Sequence, residues 1–195
     1  MEALGIFNCL LCEDNLDLNV KDIEEYTYNL MSTTKGRFYS NMGGWQSEFV
    51  DNNAEMLPLI DEINKRLEAL RSLINFKDEY DLKVESMWIN VNHPYNYNTR
   101  HTHPGSYISG SFYVKAPNNS GNLVLKHPAQ SHSLMLYSNE IFKTYNDVNS
   151  LSWSVLPAEN KLVMFPGWVE HEVEQNLSNE DRISIAFNTD FYSKV

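Results

Sequence analysis

The sequence predicts an α+β fold in which N-terminal helices cover one face of an antiparallel β-sandwich or barrel. Hydrophobic residues make up 42% of the chain and charged residues 21%, so a folded core can form. Helical periodicity is confined to the first 80 residues, and many short β-rich segments follow without intervening helices. A length of 195 residues is typical of one domain. We therefore expect a single domain over 1–195, with a helical part at 1–80 and a β-core at 81–190.

Two helices are predicted after a short N-terminal strand. The first covers residues 20–34. The second starts near Pro58, where proline suits a first helical turn, and its apolar positions recur at spacings of three and four. Those positions are Ile60, Ile63, Leu67, Leu70 and Ile74. Residues 40–49, with a Gly-Gly turn, are interpreted as a loop and a strand.

The β-rich part consists of segments rich in Val, Ile and aromatic residues, separated by turn clusters such as A-P-N-N-S-G. The predicted strands are 82–92, 99–103, 106–115, 122–126, 133–137, 152–156, 161–165, 169–174 and 182–189. The N-terminal strand carries Cys9 and Cys12. A zinc site needs about four ligands and a second cysteine pair is absent from the sequence, so we interpret them as buried thiols.

Charge and hydropathy exclude some classes of partner. The net charge is -11 and the pI is near 4.9, so the surface should repel a nucleic-acid backbone. The sequence has no apolar run near 18 residues and no signal-peptide pattern at its start. We expect a soluble cytoplasmic protein that binds neither nucleic acid nor membrane. The oligomeric state is not determined by the sequence.

Two histidines stand one residue apart in N-T-R-H-T-H-P-G, residues 98–105. In a strand, side chains at i and i+2 point to the same face, about 6–7 Å apart. His101 and His103 could therefore both reach one metal ion, at metal–nitrogen distances of about 2.1 Å. Two surface histidines would give the same pattern, so the pair alone does not distinguish the two interpretations.

A third histidine lies in P-G-W-V-E-H-E-V-E-Q-N, where glutamates alternate with Val169, His171 and Val173. His171 is therefore predicted on the apolar, inward face of a late strand. A core histidine satisfied by a hydrogen bond is the alternative. A late inward histidine is also what a barrel needs to complete a metal site with the H-x-H pair.

The segment D-R-I-S-I-A-F-N, residues 181–188, places Arg182 and Ser184 on the face opposite Ile183 and Ile185. An inward arginine is costly unless it meets an anion. Its planar fork suits a carboxylate, so a small dicarboxylic acid is a natural cosubstrate. The alternative is an arginine that turns to solvent or pairs with Asp181.

In their order and spacing these motifs resemble the iron(II)- and 2-oxoglutarate-dependent oxygenases, specifically the small oxygenases of bacteria and phages with an H-x-H-P signature. The resemblance takes in S-N-M-G-G-W-Q-S, M-W-I-N-V-N, H-T-H-P-G-S-Y-I-S-G-S-F-Y-V, L-V-M-F-P-G-W-V-E-H-E-V and R-I-S-I-A-F-N. It implies a double-stranded β-helix, or jelly-roll, with iron at its open end. It also implies a dioxygenase that uses Fe(II), 2-oxoglutarate and molecular oxygen to hydroxylate a small molecule or a peptidyl side chain.

Carried onto this sequence, the resemblance makes His101 and His171 iron ligands and Arg182 the anchor for the far carboxylate of 2-oxoglutarate. Most of the wider superfamily has an aspartate where this chain has His103. A carboxylate lowers the net charge of the iron site, whereas three imidazoles leave the ion doubly positive. We assign His103 as the third ligand, and a role beside the metal rather than on it stays open.

Polar side chains on the predicted inward faces could bind the cosubstrate as well. The candidates are Asn90, Asn92, Tyr107, Ser109, Ser111 and Tyr113. With Arg182, we predict Ser184, Asn90 and Tyr107 as the cosubstrate-binding residues, although polar strand residues also commonly face solvent. The aromatic loop 93–100 is predicted to contact substrate, and His127 and His132 are interpreted as surface histidines.

Two other classes of protein remain open at this level. A cupin shares the barrel and an H-x-H start, but its first motif needs a glutamate soon after the second histidine, and P-G-S-Y-I-S-G has none. A β-sandwich binding module would hold a sugar or peptide on its aromatic residues. Only the oxygenase gives Arg182 a defined role.

Overall fold

The helices form as the apolar periodicity predicts. The computed structural model describes residues 8–129 and 142–194, so the predicted strand 133–137 and His132 lie outside the described residues. Helix α1 spans Val20–Thr33 and α2 spans Leu57–Ala69, the latter preceded by one 3₁₀ turn at Ala54–Met56. A short helix, α3, spans Arg71–Ile74, and Asn75 ends it in the left-handed conformation, with φ of 59°.

Eleven strands are found in the described part of the chain. They are β1 Cys12–Asn15, β2 Asn41–Met42, β3 Trp45–Gln46, β4 Tyr80–Asn92, β5 Tyr97–His101, β6 Ile108–Lys115, β7 Leu123–Lys126, β8 Ser152–Val155, β9 Lys161–Pro166, β10 His171–Val173 and β11 Arg182–Ser193. The strand predicted over 99–103 therefore lies two residues earlier, and His103 stands beyond its end.

The strands form two antiparallel sheets. The main sheet has six strands in the order β1-β9-β6-β11-β4-β3, and the smaller sheet has five in the order β2-β5-β10-β7-β8. Strands that are distant in the sequence become neighbours, as β11 pairs with both β4 and β6. With the helices, this architecture confirms the predicted α+β class.

The main sheet separates two cores. On one face, α1 and α2 pack on alternate residues of the sheet, such as Ile183, Ile185 and Phe187 of β11. On the other face, Val163 and Phe165 of β9 pack toward the smaller sheet. Because successive strand residues point to opposite faces, residues 182, 184, 186 and 188 of β11 are directed between the sheets.

Two details of the N-terminal part differ from the sequence-based expectation. The fully buried face of α2 is formed by Leu59, Ile63 and Leu67, and Ile60 is only partly buried because it lies about 100° around the helix from Leu59. The thiols were predicted to be buried, which is wrong for Cys9. That residue precedes β1 and is exposed, and Cys12 is half-buried at the start of this edge strand.

Of the helices in the described ranges, none is both long and apolar enough to cross a membrane.

Candidate metal and cosubstrate site

A cavity of about 530 Å³ lies between the two sheets and is lined by side chains from both. This volume is typical of a small-molecule site. Its lining includes His101, His103, His171, Arg182, Ser184 and Asn90. Six of the seven predicted site residues therefore meet in one cavity, although they come from four separate segments of the chain.

His101 and His171 are direct cross-strand partners at the junction of β5 and β10. Their ring centroids are 4.3 Å apart. Phe165 packs against the His171 ring at 4.8 Å, and His171 is buried. The pairing fixes the two imidazoles side by side because side chains of directly opposed residues lie on the same face of a sheet.

His103 reaches the same point from the loop after β5. Its backbone N–H donates to the Gly167 carbonyl at 2.8 Å, which ties this loop to the turn before β10. The His103 ring lies 5.1 Å from His101 and 5.0 Å from His171 between centroids. The loop therefore places the His103 imidazole beside those of His101 and His171, which is the position predicted for it on a regular strand.

Hydrogen bonds define which ring nitrogens are free. Nδ1 of His101 lies 2.7 Å from the Thr99 carbonyl, and Nδ1 of His171 lies 2.9 Å from the Val169 carbonyl. A carbonyl only accepts, so both Nδ1 atoms carry the proton and donate. In the neutral rings, each Nε2 then keeps a lone pair, which is the arrangement that holds a metal-ligating histidine in place.

All three histidines are held neutral at pH 7. Burial, with a smaller contribution from His101, lowers the pKa of His103 to about 4 and that of His171 to about 3. Burial also lowers the pKa of His101. Neutral imidazole is the form that binds a metal ion, so the pocket presents three ready donors.

The separations of the donor atoms fit a single transition-metal ion. One ligand atom from each histidine lies within 4.8 Å of the others, and Nε2 of His103 lies 3.2 Å from Nε2 of His171. Two nitrogens about 2.1 Å from one ion and at a right angle to it are about 3 Å apart. Imidazole suits iron among other first-row metals, so these residues fit iron(II).

Arg182 lies on the cavity wall and is 2% exposed. Its guanidinium donates from Nη2 to Oδ1 of Asn92 at 2.8 Å and from Nη1 to the Gly121 carbonyl at 3.2 Å. Its Nε has no hydrogen-bond partner among the described residues, and none of their carboxylates pairs with it. Asp181 instead contacts His93 at 2.7 Å. Burial lowers the pKa of Arg182, and a buried guanidinium with an unused donor fits an anionic cosubstrate.

A row of polar side chains crosses the main sheet beside Arg182. Ser184 pairs in register with Asn90 on β4 and with Tyr113 on β6. All three line the cavity, and Oδ1 of Asn90 has no hydrogen-bond partner within 8–129 and 142–194. Burial raises the pKa of Tyr113, so its phenol stays protonated and can donate.

The prediction for Tyr107 is wrong. This residue precedes the first residue of β6, is half-exposed and lies outside the cavity lining. Its ring packs 5.0 Å from Phe191, a residue on the helix-side core. Tyr113, on the same predicted strand face, lines the cavity instead.

The mouth of the cavity is formed by residues that the sequence did not indicate as functional. Arg37, Tyr39 and Phe49 come from the segment on either side of the Gly-Gly turn, and Trp88 comes from β4. Trp88 could have been found from its i, i+2 spacing to Asn90. The segment 35–49 is marked in the sequence only by its turn and by the part of the family resemblance at 40–47, and neither singles out one of these residues for a role.

The loop 93–100 contributes only in part. Asn98 and Thr99 line the cavity, whereas Tyr95 and Tyr97 are exposed and absent from its lining. His127 is exposed, and its Nδ1 accepts from the Ala129 N–H at 3.0 Å. It is a surface histidine, as predicted.

Solved structures with a similar fold include 2-oxoglutarate-dependent enzymes and prolyl hydroxylases. The carbocyclase SnoK from nogalamycin biosynthesis, described as α-ketoglutarate dependent, superposes with a TM-score of 0.63 at 13% identity and covers 94% of this chain and 81% of its own. The collagen prolyl hydroxylase of Paramecium bursaria Chlorella virus-1, solved with 2-oxoglutarate, gives 0.57 at 16% identity, covering 92% and 94%.

A third structure is a Trichoplax adhaerens prolyl hydroxylase in complex with a peptide fragment of hypoxia-inducible factor. Its TM-score is 0.59 at 16% identity, and the match covers 92% of this chain and 82% of that one. A search of curated protein sequences gave no significant match. At these identities the structural comparisons establish the fold alone.

The fold is thus that of the 2-oxoglutarate-dependent non-haem oxygenases. A family model described as "Putative 2OG-Fe(II) oxygenase" matches residues 86–188, more than half of the chain. The chain belongs to this family of 2-oxoglutarate- and iron(II)-dependent oxygenases, whose cofactors are Fe(II) and 2-oxoglutarate. The cupin and binding-module alternatives are not supported, and the histidine cluster includes no glutamate among the described residues.

Proposed function

We propose that this oxygenase hydroxylates a small molecule or a peptidyl side chain, with His101, His103 and His171 holding iron(II) and Arg182 anchoring 2-oxoglutarate. The observation that carries this assignment is the presence, in one cavity, of three clustered neutral imidazoles, two of them held by backbone carbonyls so that Nε2 keeps its lone pair, and a buried guanidinium with an unused donor. The similarity to hydroxylases in fold is consistent with the reaction.

The two cofactors, when bound, would supply the chemistry that oxidises an unactivated C–H bond, coupled to the oxidative decarboxylation of 2-oxoglutarate. The protein's part is to hold and orient them. The Thr99 and Val169 carbonyls keep the His101 and His171 rings in the tautomer that presents Nε2. Asn92 and Gly121 hold the Arg182 fork in one orientation.

The remaining polar groups of the cavity would orient the cosubstrate. Asn90 and Tyr113 are the cross-strand partners of Ser184 on either side, and all three line the cavity with Arg182 and the histidines. Phe165 packs edge-on against the His171 ring and presents an apolar surface beside it. Exclusion of water by such contacts would strengthen each polar contact in the site.

The architecture that presents these residues is proposed to be a double-stranded β-helix, with the cavity at its open end. Its support is the pair of antiparallel sheets and the similarity in fold to oxygenases. Residues 1–195 are taken as one domain because the N-terminal helices share a core with the main sheet.

The proposal places the protein in the cytoplasm and without nucleic-acid partners. Both cysteines are free, as expected in a reducing compartment, and the net charge of -11 disfavours a phosphate backbone.

The function is tested by following the conversion of 2-oxoglutarate to succinate with purified protein and Fe(II). Slow uncoupled conversion is expected without substrate, with stimulation by compounds that enter the cavity. The His171→Ala protein is the matched inactive control. Conversion that does not depend on Fe(II), or that survives His171→Ala unchanged, would contradict the proposal.

A further inference from the structure

The charged side chains of the cavity lining are all cationic. Of the described residues that line it, Arg37 and Arg182 carry formal charges, and none is Asp or Glu. The whole chain, in contrast, has 26 acidic and 15 basic residues. A cavity without carboxylates inside so acidic a protein indicates a site for anions.

The bound cofactors would not neutralise the positive charge of the cavity. A doubly positive iron ion and a doubly negative 2-oxoglutarate cancel, the three histidines are neutral, and Arg182 therefore leaves one net positive charge. An aspartate in place of His103 would have removed it. Arg37 adds a second positive charge at the mouth, where Glu48 on the outside is its one ion-pair partner among the described residues.

Arg37 is fixed in position from several sides. Its backbone N–H donates to the Gln46 carbonyl at 2.8 Å, and its carbonyl accepts from the Asn41 amide at 3.0 Å. The guanidinium carbon lies 4.7 Å from the Tyr39 ring centroid and 5.4 Å from that of Phe49. A guanidinium held in this way loses little freedom when it binds a ligand.

Within the described ranges, the guanidinium has two polar partners, the Tyr39 hydroxyl at Nη2 and the Glu48 carboxylate at Nη1, and the acidic one is easily exchanged. Glu48 contacts Nη1 at 2.7 Å, but its side chain is 74% exposed, whereas that of Arg37 is 27% exposed. Ion pairs with a partner so far in water contribute little to stability. A substrate carboxylate can therefore replace Glu48 without a large cost.

A line of aromatic contacts joins Arg37 to the histidines. Phe49, under the guanidinium, lies 6.2 Å from Trp88 between centroids, and Trp88 lies 5.7 Å from His103. Aromatic rings thus line one path along the wall from the cation to the histidine cluster. It suits a ligand with a charged end and a hydrophobic body.

We propose that the primary substrate is a small organic acid whose carboxylate binds Arg37 and whose apolar body lies along Phe49 and Trp88, with a C–H bond reaching the histidine cluster. The inference rests on the proposed function, because it assigns Arg182 to 2-oxoglutarate and leaves Arg37 for the substrate. Arg37 is then a specificity-determining residue.

The test uses compounds that differ only in their end group. Hexanoate, octanoate and 3-phenylpropanoate are compared with the corresponding primary amides and amines. Binding is measured by saturation-transfer NMR to protein loaded with Zn(II) and saturating 2-oxoglutarate, so that Arg182 is occupied and no turnover occurs. The variants are Arg37→Met, Arg37→Lys and Glu48→Gln, with Arg66→Met on the outer face of α2 as the control.

The acids are expected to bind at least about tenfold more tightly than their amides, as expected for charge-assisted hydrogen bonds. Arg37→Met should abolish the preference, Arg37→Lys should keep part of it, Glu48→Gln should strengthen it, and Arg66→Met should leave it unchanged. Three results, obtained with protein that still loads 2-oxoglutarate, would each overturn the inference. They are equal binding of the amides or amines, a preference for acids that survives Arg37→Met, and no binding by any compound. Failure to load 2-oxoglutarate would instead overturn the proposed function, and the inference with it.

Discussion

His101 and His171 face each other across the paired strands β5 and β10, with 4.3 Å between their ring centroids, although a large part of the β-core separates them in sequence. The pairing register of two short strands therefore sets the geometry of the proposed metal centre. A slip of one residue would turn one ring to the opposite face of the sheet.

Arg182→Lys is predicted to weaken 2-oxoglutarate binding about tenfold to a hundredfold while leaving Fe(II) binding in place. Lysine keeps the charge but loses the planar fork that Asn92 and Gly121 orient. Isothermal titration with 2-oxoglutarate in the presence of Zn(II) measures the effect. Unchanged 2-oxoglutarate affinity would remove Arg182 from its proposed role.

Tyr113→Phe is predicted to weaken 2-oxoglutarate binding about two- to tenfold, because it removes one buried donor beside Arg182. Tyr107→Phe, which alters a tyrosine outside the cavity, should change the affinity less than twofold. The same titration compares the two variants. A larger effect at Tyr107 than at Tyr113 would restore the original sequence-based assignment.

Gly121 and Gly105 both have positive φ, at 88° and 91°, but only Gly121 is confined. A Cβ on Gly121 would lie 2.2 Å from the Glu174 carbonyl oxygen, whereas one on Gly105 meets no atom within 4 Å. Gly105→Ala should cost roughly 1 kcal/mol of unfolding free energy from backbone strain alone. Gly121→Ala should cost more and weaken 2-oxoglutarate binding, since the Gly121 carbonyl accepts from Arg182. Urea unfolding measures the loss of unfolding free energy in each variant. Equal losses in Gly105→Ala and Gly121→Ala would contradict this account.

The stability of the metal-free protein is predicted to fall as the pH drops below 6.5. The pKa values of His103 and His171 fall from 6.5 to about 4 and about 3 on folding, so between these limits the unfolded chain binds more protons than the native one. Stability is therefore complete above pH 6.5 and declines toward pH 4. The melting temperature followed from pH 7.5 to 4.5 tests the prediction, with His103→Asn as the control, whose decline should be shallower. Parallel pH profiles for the two proteins would rule out the His103 contribution.

The strand faces of the site could be predicted because alternation is a local property. Arg182 and Ser184 were assigned inward from their neighbours Ile183 and Ile185, and the structure places them there. The convergence of His171 with the H-x-H pair required the fold as well, which the family resemblance supplied.

The remaining features depend on interactions that the sequence pattern does not encode. His103 was predicted within a strand but lies beyond the end of β5, and a backbone hydrogen bond to Gly167 holds it at the cluster. Tyr107 and Tyr113 are an even number of residues apart, so alternation predicts them on the same strand face. Tyr107 lies outside the strand, which begins at Ile108, and its ring packs on Phe191. Arg37 lines the cavity from a segment that the sequence marked only by a turn and by a piece of the family resemblance, neither of which points to an arginine.

The most direct test of the central claim is an anaerobic titration of the protein with Fe(II) and 2-oxoglutarate, followed by visible absorption. The account predicts a weak metal-to-ligand charge-transfer band that appears only when both are present, and that is lost in His101→Ala and His171→Ala proteins whose melting curves remain cooperative. A wild-type protein that develops no band at saturating concentrations of both, or a band that persists without these two imidazoles, would contradict the proposed metal and cosubstrate site.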